Sequence, residues 1–283
     1  MTHRAYGFAR LSAQRSSLLS RDDISALRLT SDPQSSSRAA SALAIDTERK
    51  RFNRLIARYR AILRCYRDAA PLVRAFLRFH EVENVKLIWR ATLRDVAPER
   101  WRPSWRDLED LAEVAIDSFP GVHTLFDVVE RLRGTPFEQI AARIYRAHGT
   151  DLGAAELEFD HWASMQAVAE IESLDKSESL ARQIAEAMVR QRDEEIMRRG
   201  VSAYGLSPEF VDAQRALPGR RTKADLPALC RRAFRGQAMS LAPALAYAAL
   251  AERDYALARA LAERGGDSEL DTAADAVAGR GGG

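Results

Sequence analysis

Markers of strands, tight turns and covalent crosslinks are scarce in this sequence. Its 283 residues include ten prolines, fifteen glycines and two cysteines, and β-branched residues never alternate with polar ones over a useful length. We therefore predict an all-helical fold. The cysteines, Cys65 and Cys230, stand alone in apolar helical surroundings, which favours buried thiols over a disulfide or a nucleophile.

Long apolar segments are also missing. Residues 1–21 are basic but lack the apolar core of a signal peptide. The longest apolar stretch, residues 241–251, has about half the length that a membrane span requires. We therefore expect a soluble, cytoplasmic protein that associates with a membrane indirectly, by docking on a complex already there.

The usual motifs of catalysis and cofactor binding do not occur. The sequence contains no Gly-x-Gly-x-x-Gly, no phosphate-binding Gly-Lys-Ser/Thr loop and no Gly-x-Ser-x-Gly. Glu158 and His161 have the spacing of half a di-iron site, but no second Glu-x-x-His accompanies them. We predict no catalytic residue, no metal ligand and no cofactor, so the protein is not expected to be an enzyme.

The overall charge gives only a weak indication of a nucleic-acid partner. The sequence has 43 basic and 40 acidic residues, for a net charge of +3, and arginine greatly outnumbers lysine. Because the acidic residues are spread among the basic ones, no nucleic acid is expected as a partner.

Apolar residues recur at helical spacing along most of the chain. Residues 48–93 predict a long helical hairpin that breaks at Pro71, and a second long pair is expected to end at Gly200. A last long helix is predicted over residues 241–264. Between these lie shorter predicted helices, one over residues 108–114 and one capped by Thr135.

The three longest predicted helices end in a similar way. Starting from Asn84, Asp193 and Ala258, each has an apolar pair three and four residues later and an arginine six residues later. This similarity indicates a repeat. We predict helical units over residues 1–98, 99–200 and 201–264, followed by a disordered tail at 265–283 whose composition is small, acidic and glycine-rich.

Five short motifs occur in a fixed order along the chain. They are the opening Tyr6-Gly7-Phe8-Ala9-Arg10 with Leu18-Leu19, the segment Glu81 to Lys86, Gly134 to Phe137, Tyr204 to Glu209 with Leu217-Pro218-Gly219, and the last helix from Pro243 to Arg264. In this order they resemble one protein family, the C subunits of V-type and A-type ATPases, whose eukaryotic members are called d subunits. The family's motif asparagine is matched by Asn84, whereas Asp193 and Ala258 stand at the proposed equivalents.

The resemblance implies a fold of three pseudo-repeated helical units arranged as a funnel around a central axis. It also implies a non-catalytic central-rotor subunit. Such a subunit links the central shaft to the membrane c-ring and transmits torque for coupled proton or sodium transport. The implied partners are therefore the c-ring and the central-shaft subunits, and the protein is expected to have no nucleotide site of its own.

Several polar residues of these motifs are candidates for the interfaces with the shaft or the ring. Asparagine is a poor residue for the middle of a helix, so Asn84 in particular is expected to have an interface role. The ordinary alternative is a solvated helix face with Glu-to-Lys pairing. The candidates are Arg10, Glu81, Glu83, Asn84, Lys86, Arg90, Asp193 and Arg199.

Two other kinds of function remain open. The first is a helical-repeat scaffold, for which we expect an open superhelix with a concave face. The second is an arginine-rich RNA-binding protein, for which we expect a strongly basic face and a salt-dependent affinity.

Overall fold

A computed structural model of the chain describes residues 3–18, 48–119, 121–217 and 225–263. Within these residues it contains eleven α-helices and no strand, which confirms the prediction of an all-helical fold. The α-helices are α1 (His3–Arg15), α2 (Glu48–Cys65), α3 (Ala70–Leu93), α4 (Pro98–Trp101), α5 (Leu125–Arg131), α6 (Glu138–His148), α7 (Leu152–Glu172), α8 (Ser179–Tyr204), α9 (Pro208–Ala213), α10 (Leu226–Ala233) and α11 (Ala242–Glu263). Among the helices of these described ranges, none is both long enough and apolar enough to cross a membrane.

Contacts between residues divide the chain into two compact units. The first comprises Met1–Val73, Leu174–Met188 and Thr222–Gly283, and the second comprises Arg74–Ser173 and Val189–Arg221. The predicted boundaries after residues 98, 200 and 264 concern a sequence repeat rather than contacts, and that division stays a prediction. The tail that is predicted to be disordered lies outside the described residues.

In the first unit, α2 packs against α1 and α11, and α11 also packs against α1 and α10. The apolar residues of α2 recur every three or four positions, which places them on one face that is buried. The ring of Phe52 meets that of Tyr255 at 5.9 Å between centroids. The hydroxyl of Tyr59 donates to Glu252 at 2.6 Å. Both cysteines are buried and free, as predicted.

Gly7 lets α1 approach the end of α2 closely. A Cβ atom at this position would lie 2.7 Å from Cε2 of Tyr66 and 2.9 Å from the backbone oxygen of Cys65. The aromatic ring is fully buried and the oxygen belongs to the backbone, so neither can move away easily. Helix packing therefore requires glycine here, although glycine is a poor helix former.

We expect the substitution Gly7→Ala to destabilise the protein by about 1–2 kcal/mol, because overpacking outweighs the gain in helix propensity. Urea unfolding followed by circular dichroism measures the change. The reverse substitution at the exposed Ala9 of the same helix, Ala9→Gly, gives the propensity contribution alone. If Gly7→Ala instead stabilised the protein by as much as Ala9→Gly destabilises it, the close approach would be wrong.

In the second unit, α6 packs against both α5 and α7. Aromatic pairs fill the space between elements: Phe137 lies 5.0 Å from Trp162, and Trp89 lies 5.4 Å from Phe159, measured between ring centroids. Offset and edge-on pairs at such distances stabilise a core beyond the area that they bury. This packing fixes α7 beside α3, which is where the charged side chains described below meet.

Three local predictions in this unit are wrong. Residues 108–114 form no α-helix, and two short 3₁₀ turns, Glu109–Leu111 and Ile116–Ser118, occupy this part of the chain. The helix expected to begin after Thr135 begins at Glu138, and the hydroxyl of Thr135 accepts a hydrogen bond from the N–H of Phe137 within a turn. A side-chain cap with a full capping box is found instead at Thr124, before α5.

The third error concerns Gly200, which the sequence predicts to end a helix but which lies inside α8. A Cβ atom there would lie 2.9 Å from Cγ2 of Val211. Val211 is fully buried and forms a small core with Leu157 and Ile196. The glycine therefore permits close packing against α9, whose predicted cap at Ser207 is confirmed.

Candidate functional site

Five charged side chains from three helices meet inside the second unit. We call this group the buried ion cluster: Glu83 and Lys86 of α3, Asp160 of α7, and Arg192 and Arg199 of α8. Lys86 is 0% exposed. Its Nζ atom lies 2.9 Å from Oε1 of Glu83 and 2.9 Å from each carboxylate oxygen of Asp160. All three protons of this ammonium group therefore have an acceptor.

The two arginines complete the cluster. Arg192 donates from Nη2 to Oε1 of Glu83 at 2.8 Å, and it also lies 3.5 Å from Oδ1 of Asp160. Arg199 donates from Nη2 to Oδ2 of Asp160 at 3.1 Å, and its Nη1 lies 3.5 Å from Glu83. Each carboxylate is thus shared by the lysine and both arginines. Three cations and two anions leave the cluster with a net charge of +1.

The sequence brings these groups together through helical periodicity. Glu83 and Lys86 are three residues apart on α3, so they share a face, and Arg192 and Arg199 are two turns apart on the same face of α8. Asp160 lies on the buried side of α7. The three helices therefore each direct charged side chains to the same interior point.

Opposite charges within the buried ion cluster shift the pKa values of Glu83 and Arg192. Burial alone would raise the pKa of Glu83, but Lys86, Arg192 and Arg199 hold this pKa well below its usual value. Burial opposes the charged form of Arg192, yet Glu195, Asp160 and Glu83 raise its pKa above the ordinary value. The neighbouring opposite charges thus favour the ionised forms of both Glu83 and Arg192.

Two further polar side chains bind the backbone of a following segment, and we call these contacts the backbone clasps. The amide of Asn84 donates to the oxygen of Arg106 at 2.8 Å and accepts from its N–H at 2.8 Å. Asp193 accepts from the N–H of Ala216 at 3.1 Å. Both side chains are buried. Each clasp ties a long helix to a segment 22 or 23 residues further along the chain.

Glu81 makes a related contact one turn before the first clasp. Its Oε1 atom accepts from the N–H of Glu113 at 2.6 Å and from the N–H of Val114 at 2.7 Å. The side chain is 1% exposed. Burial raises the pKa of Glu81 to about 7, although these two N–H groups favour the carboxylate.

Known proteins give no direct guide to these contacts. Comparison with protein-family models, with curated proteins and with solved structures finds no match to this chain. What the chain does has to be inferred from its own motifs, burial and contacts.

The remaining predicted residues lie apart from the cluster's centre. Arg90 is partly exposed and forms an ion pair of 3.0 Å with the buried Glu156. Arg10 is half-buried on α1, in the first unit. Ala258, the third position of the predicted repeat, is buried and has no polar group to form a clasp. One turn earlier on α11, the buried Asp254 lies 3.5 Å from Arg58.

Four of the eight predicted interface residues are buried, namely Glu81, Asn84, Lys86 and Asp193. In this structure they hold helices and loops of the second unit in place. That they or their neighbours also form an interface stays a prediction. Asp160 and Arg192 were missed at the level of the sequence, because each stands among other charged residues of its helix.

The Glu-x-x-His pair is engaged in other contacts. Glu158 contacts His148 and lies 2.7 Å from Arg143. His161 Nδ1 lies 2.7 Å from the backbone oxygen of Gln214. In the ranges that the structure describes, no group of three or more His, Cys, Asp or Glu residues is placed to hold a metal ion.

Proposed function

We propose that this chain is a non-catalytic central-rotor subunit of a V/A-type rotary ATPase. It links the central shaft to the membrane c-ring and transmits torque for coupled proton or sodium transport. In this proposal the chain docks peripherally on the cytoplasmic side of the membrane through the complex, and its fold is a funnel of three pseudo-repeated units.

The observation that carries the proposal is the pair of backbone clasps. Asn84 and Asp193 are aligned by the sequence repeat alone, and both are buried helix residues that bind backbone 22 and 23 residues later. A shared ancestry of the two units would explain why both helices make this contact at nearly the same spacing. The pair therefore supports a true repeat, and the repeat is what the motifs in order resemble.

The buried ion cluster supports the mechanical part of the proposal. A part that transmits torque has to resist the sliding of its helices against one another. A shared set of buried, ionised groups resists such sliding, because moving one helix by a turn would leave a charge buried without a partner. Lys86 and Asp160 join α3 to α7 in this way, and Arg199 joins α8 to Asp160.

The third copy is the weakest part of the repeat, because Ala258 has no clasp. The buried Asp254 lies one turn earlier on α11, but the residue six positions after it is Ala260 rather than the arginine of the repeat.

We expect the tagged full-length chain to recover c-ring and shaft subunits together from detergent-solubilised native membranes, as identified by mass spectrometry. The tag alone provides the background. If neither kind of subunit is recovered from membranes shown to contain the assembled ATPase, the rotor assignment is wrong and a helical scaffold becomes the better interpretation.

A matched pair of variants tests the predicted interface in the same experiment. Arg90 and Arg143 are both partly exposed arginines of the second unit that form an ion pair with a glutamate of α7. Only Arg90 belongs to the predicted interface. We expect Arg90→Gln to lower the recovery of partner subunits and Arg143→Gln to leave it unchanged. Equal recovery with both variants would remove Arg90 from the interface.

A further inference from the structure

Helix α2 concentrates positive charge that the balanced overall composition hides. Of its 18 residues, one is acidic, and that residue, Glu48, lies 3.3 Å from Arg51 and also contacts Tyr255. The basic residues of α2 are Arg49, Lys50, Arg51, Arg54, Arg58, Arg60 and Arg64. No other helix of comparable length in the described part of the chain has so large an excess of basic residues.

Much of this charge is exposed on the side of α2 that faces away from its packed face. The α2 basic face consists of Arg49, Lys50, Arg54, Arg64 and, in the turn after the helix, Arg67. All five are exposed. The side chains of the four arginines form no hydrogen bond or ion pair with another described residue. Since α-helices rise 1.5 Å per residue, the face extends over roughly 25 Å.

Like charges crowd one another along this face. Burial and the neighbouring Arg58 lower the pKa of Arg54, Asp254 partly opposes this shift, and Arg51 adds to it. Such crowding is unfavourable unless counter-charges lie close by. A row of arginines whose side chains have no hydrogen bond or ion pair within the described part of the chain is therefore suited to a partner with many negative charges.

The other residues of the face indicate which partner fits. The remaining exposed positions of α2 besides Glu48 are Asn53 and Ala57, so the helix exposes no aromatic and no large aliphatic side chain. Single-stranded nucleic acid is usually bound with aromatic stacking platforms, and stable protein interfaces centre on large apolar or aromatic anchors. Attraction to anionic lipid headgroups requires neither, only clustered basic side chains near the surface.

We propose that the α2 basic face binds the anionic headgroups of a membrane surface directly. The helix lies along the membrane plane, and its arginines contact lipid phosphates and carboxylates without insertion into the hydrocarbon. This contact does not depend on the rotor assignment, because it requires only the exposed arginines of the first unit. A pull-down that recovers no ATPase subunits would therefore not contradict the proposed lipid contact.

The test is sedimentation of the purified full-length chain with lipid vesicles. One set contains phosphatidylcholine alone, and the other also contains about 30% phosphatidylserine, which gives the surface the negative potential of a cytoplasmic leaflet. We expect binding to the anionic vesicles only. That binding should weaken steeply between about 50 and 200 mM salt, because exposed charges are screened. Equal binding to both sets, or binding that salt does not weaken, would overturn the proposal.

Two quadruple variants locate the contact. The first combines Arg49→Gln, Arg54→Gln, Arg64→Gln and Arg67→Gln. The control removes the same charge from four exposed arginines of the second unit whose side chains also have no described partner, by combining Arg74→Gln, Arg94→Gln, Arg100→Gln and Arg131→Gln.

We expect the α2 variant to lose affinity for anionic vesicles by on the order of a hundredfold, and the control by less than about threefold. Both variants are compared at a temperature where circular dichroism shows them folded. An equal loss in both variants would show that net charge alone is responsible and would overturn the assignment to α2. Binding of single-stranded RNA without binding to anionic vesicles would also overturn it, in favour of a nucleic-acid partner.

Discussion

Replacing Asp160 by asparagine is expected to lower the free energy of unfolding by about 3–5 kcal/mol. The substitution keeps the shape of the side chain but removes one of two negative charges from the buried ion cluster. Glu83 would then be the only carboxylate left in the cluster for Lys86, which is 0% exposed, and two arginines, of which Arg192 also pairs with Glu195. A buried charge that loses its partner is costly because water cannot replace it. Urea unfolding at neutral pH measures the change.

Two controls distinguish the stability lost from the buried ion cluster from the stability lost by removing any charge. Asp212→Asn removes an exposed aspartate that pairs with Arg215 at 2.6 Å, and we expect a loss below about 0.5 kcal/mol because exposed ion pairs contribute little. Combining Asp160→Asn with Lys86→Met removes one charge of each sign. The double variant should lose about 2 kcal/mol less than the two single losses added together. Additive losses would mean that the two side chains do not interact.

The stability contributed by Glu81 is expected to fall as the pH rises from about 4.5 to about 7. Burial raises the pKa of Glu81 from 4.5 to about 7, so the folded state retains a proton that the unfolded state has already released. The contribution is therefore complete below pH 4.5 and is lost as the pH rises through 7. A shift of this size corresponds to about 3 kcal/mol across the window.

The substitution Glu81→Gln tests the predicted pH dependence, because glutamine still accepts the two N–H hydrogen bonds and does not titrate. Unfolding free energies are measured every half unit of pH across the window. Relative to the wild type, the variant should gain stability by about 3 kcal/mol between the two ends. Glu99→Gln, at an exposed acid whose side chain has no described partner, controls for the loss of a carboxylate. Parallel pH profiles of wild type and Glu81→Gln would show that Glu81 does not titrate in this range.

Helical periodicity predicted most of the fold correctly, because amphipathic patterns reflect burial directly. The break before α3 at Pro71 and the cap of α9 at Ser207 are local signals that the structure confirms. The errors arose where tertiary packing overrides a local signal. Gly200 has the pattern of a helix end, yet it lies inside the helix and leaves space for the side chain of Val211. Nothing in the sequence next to Gly200 indicates this contact.

Only part of the buried ion cluster was predicted from the sequence. The motif identified Glu83, Lys86 and Arg199, which the structure brings together in the buried ion cluster. Their burial could not be foreseen, because Glu and Lys three residues apart usually lie on a solvated face. Lys86 becomes buried only because Asp160 comes from a helix 74 residues away along the chain. Long-range pairing of this kind leaves no local pattern in a single sequence.

The most direct test of the rotor assignment is single-particle electron cryomicroscopy of the complex purified through a tag on this chain. The proposal predicts density for one copy of the chain, in which the buried ion cluster and both backbone clasps are recognisable, between the central shaft and the c-ring. An assembled ATPase in which another chain occupies that place, or a tagged sample without ATPase subunits, would contradict it.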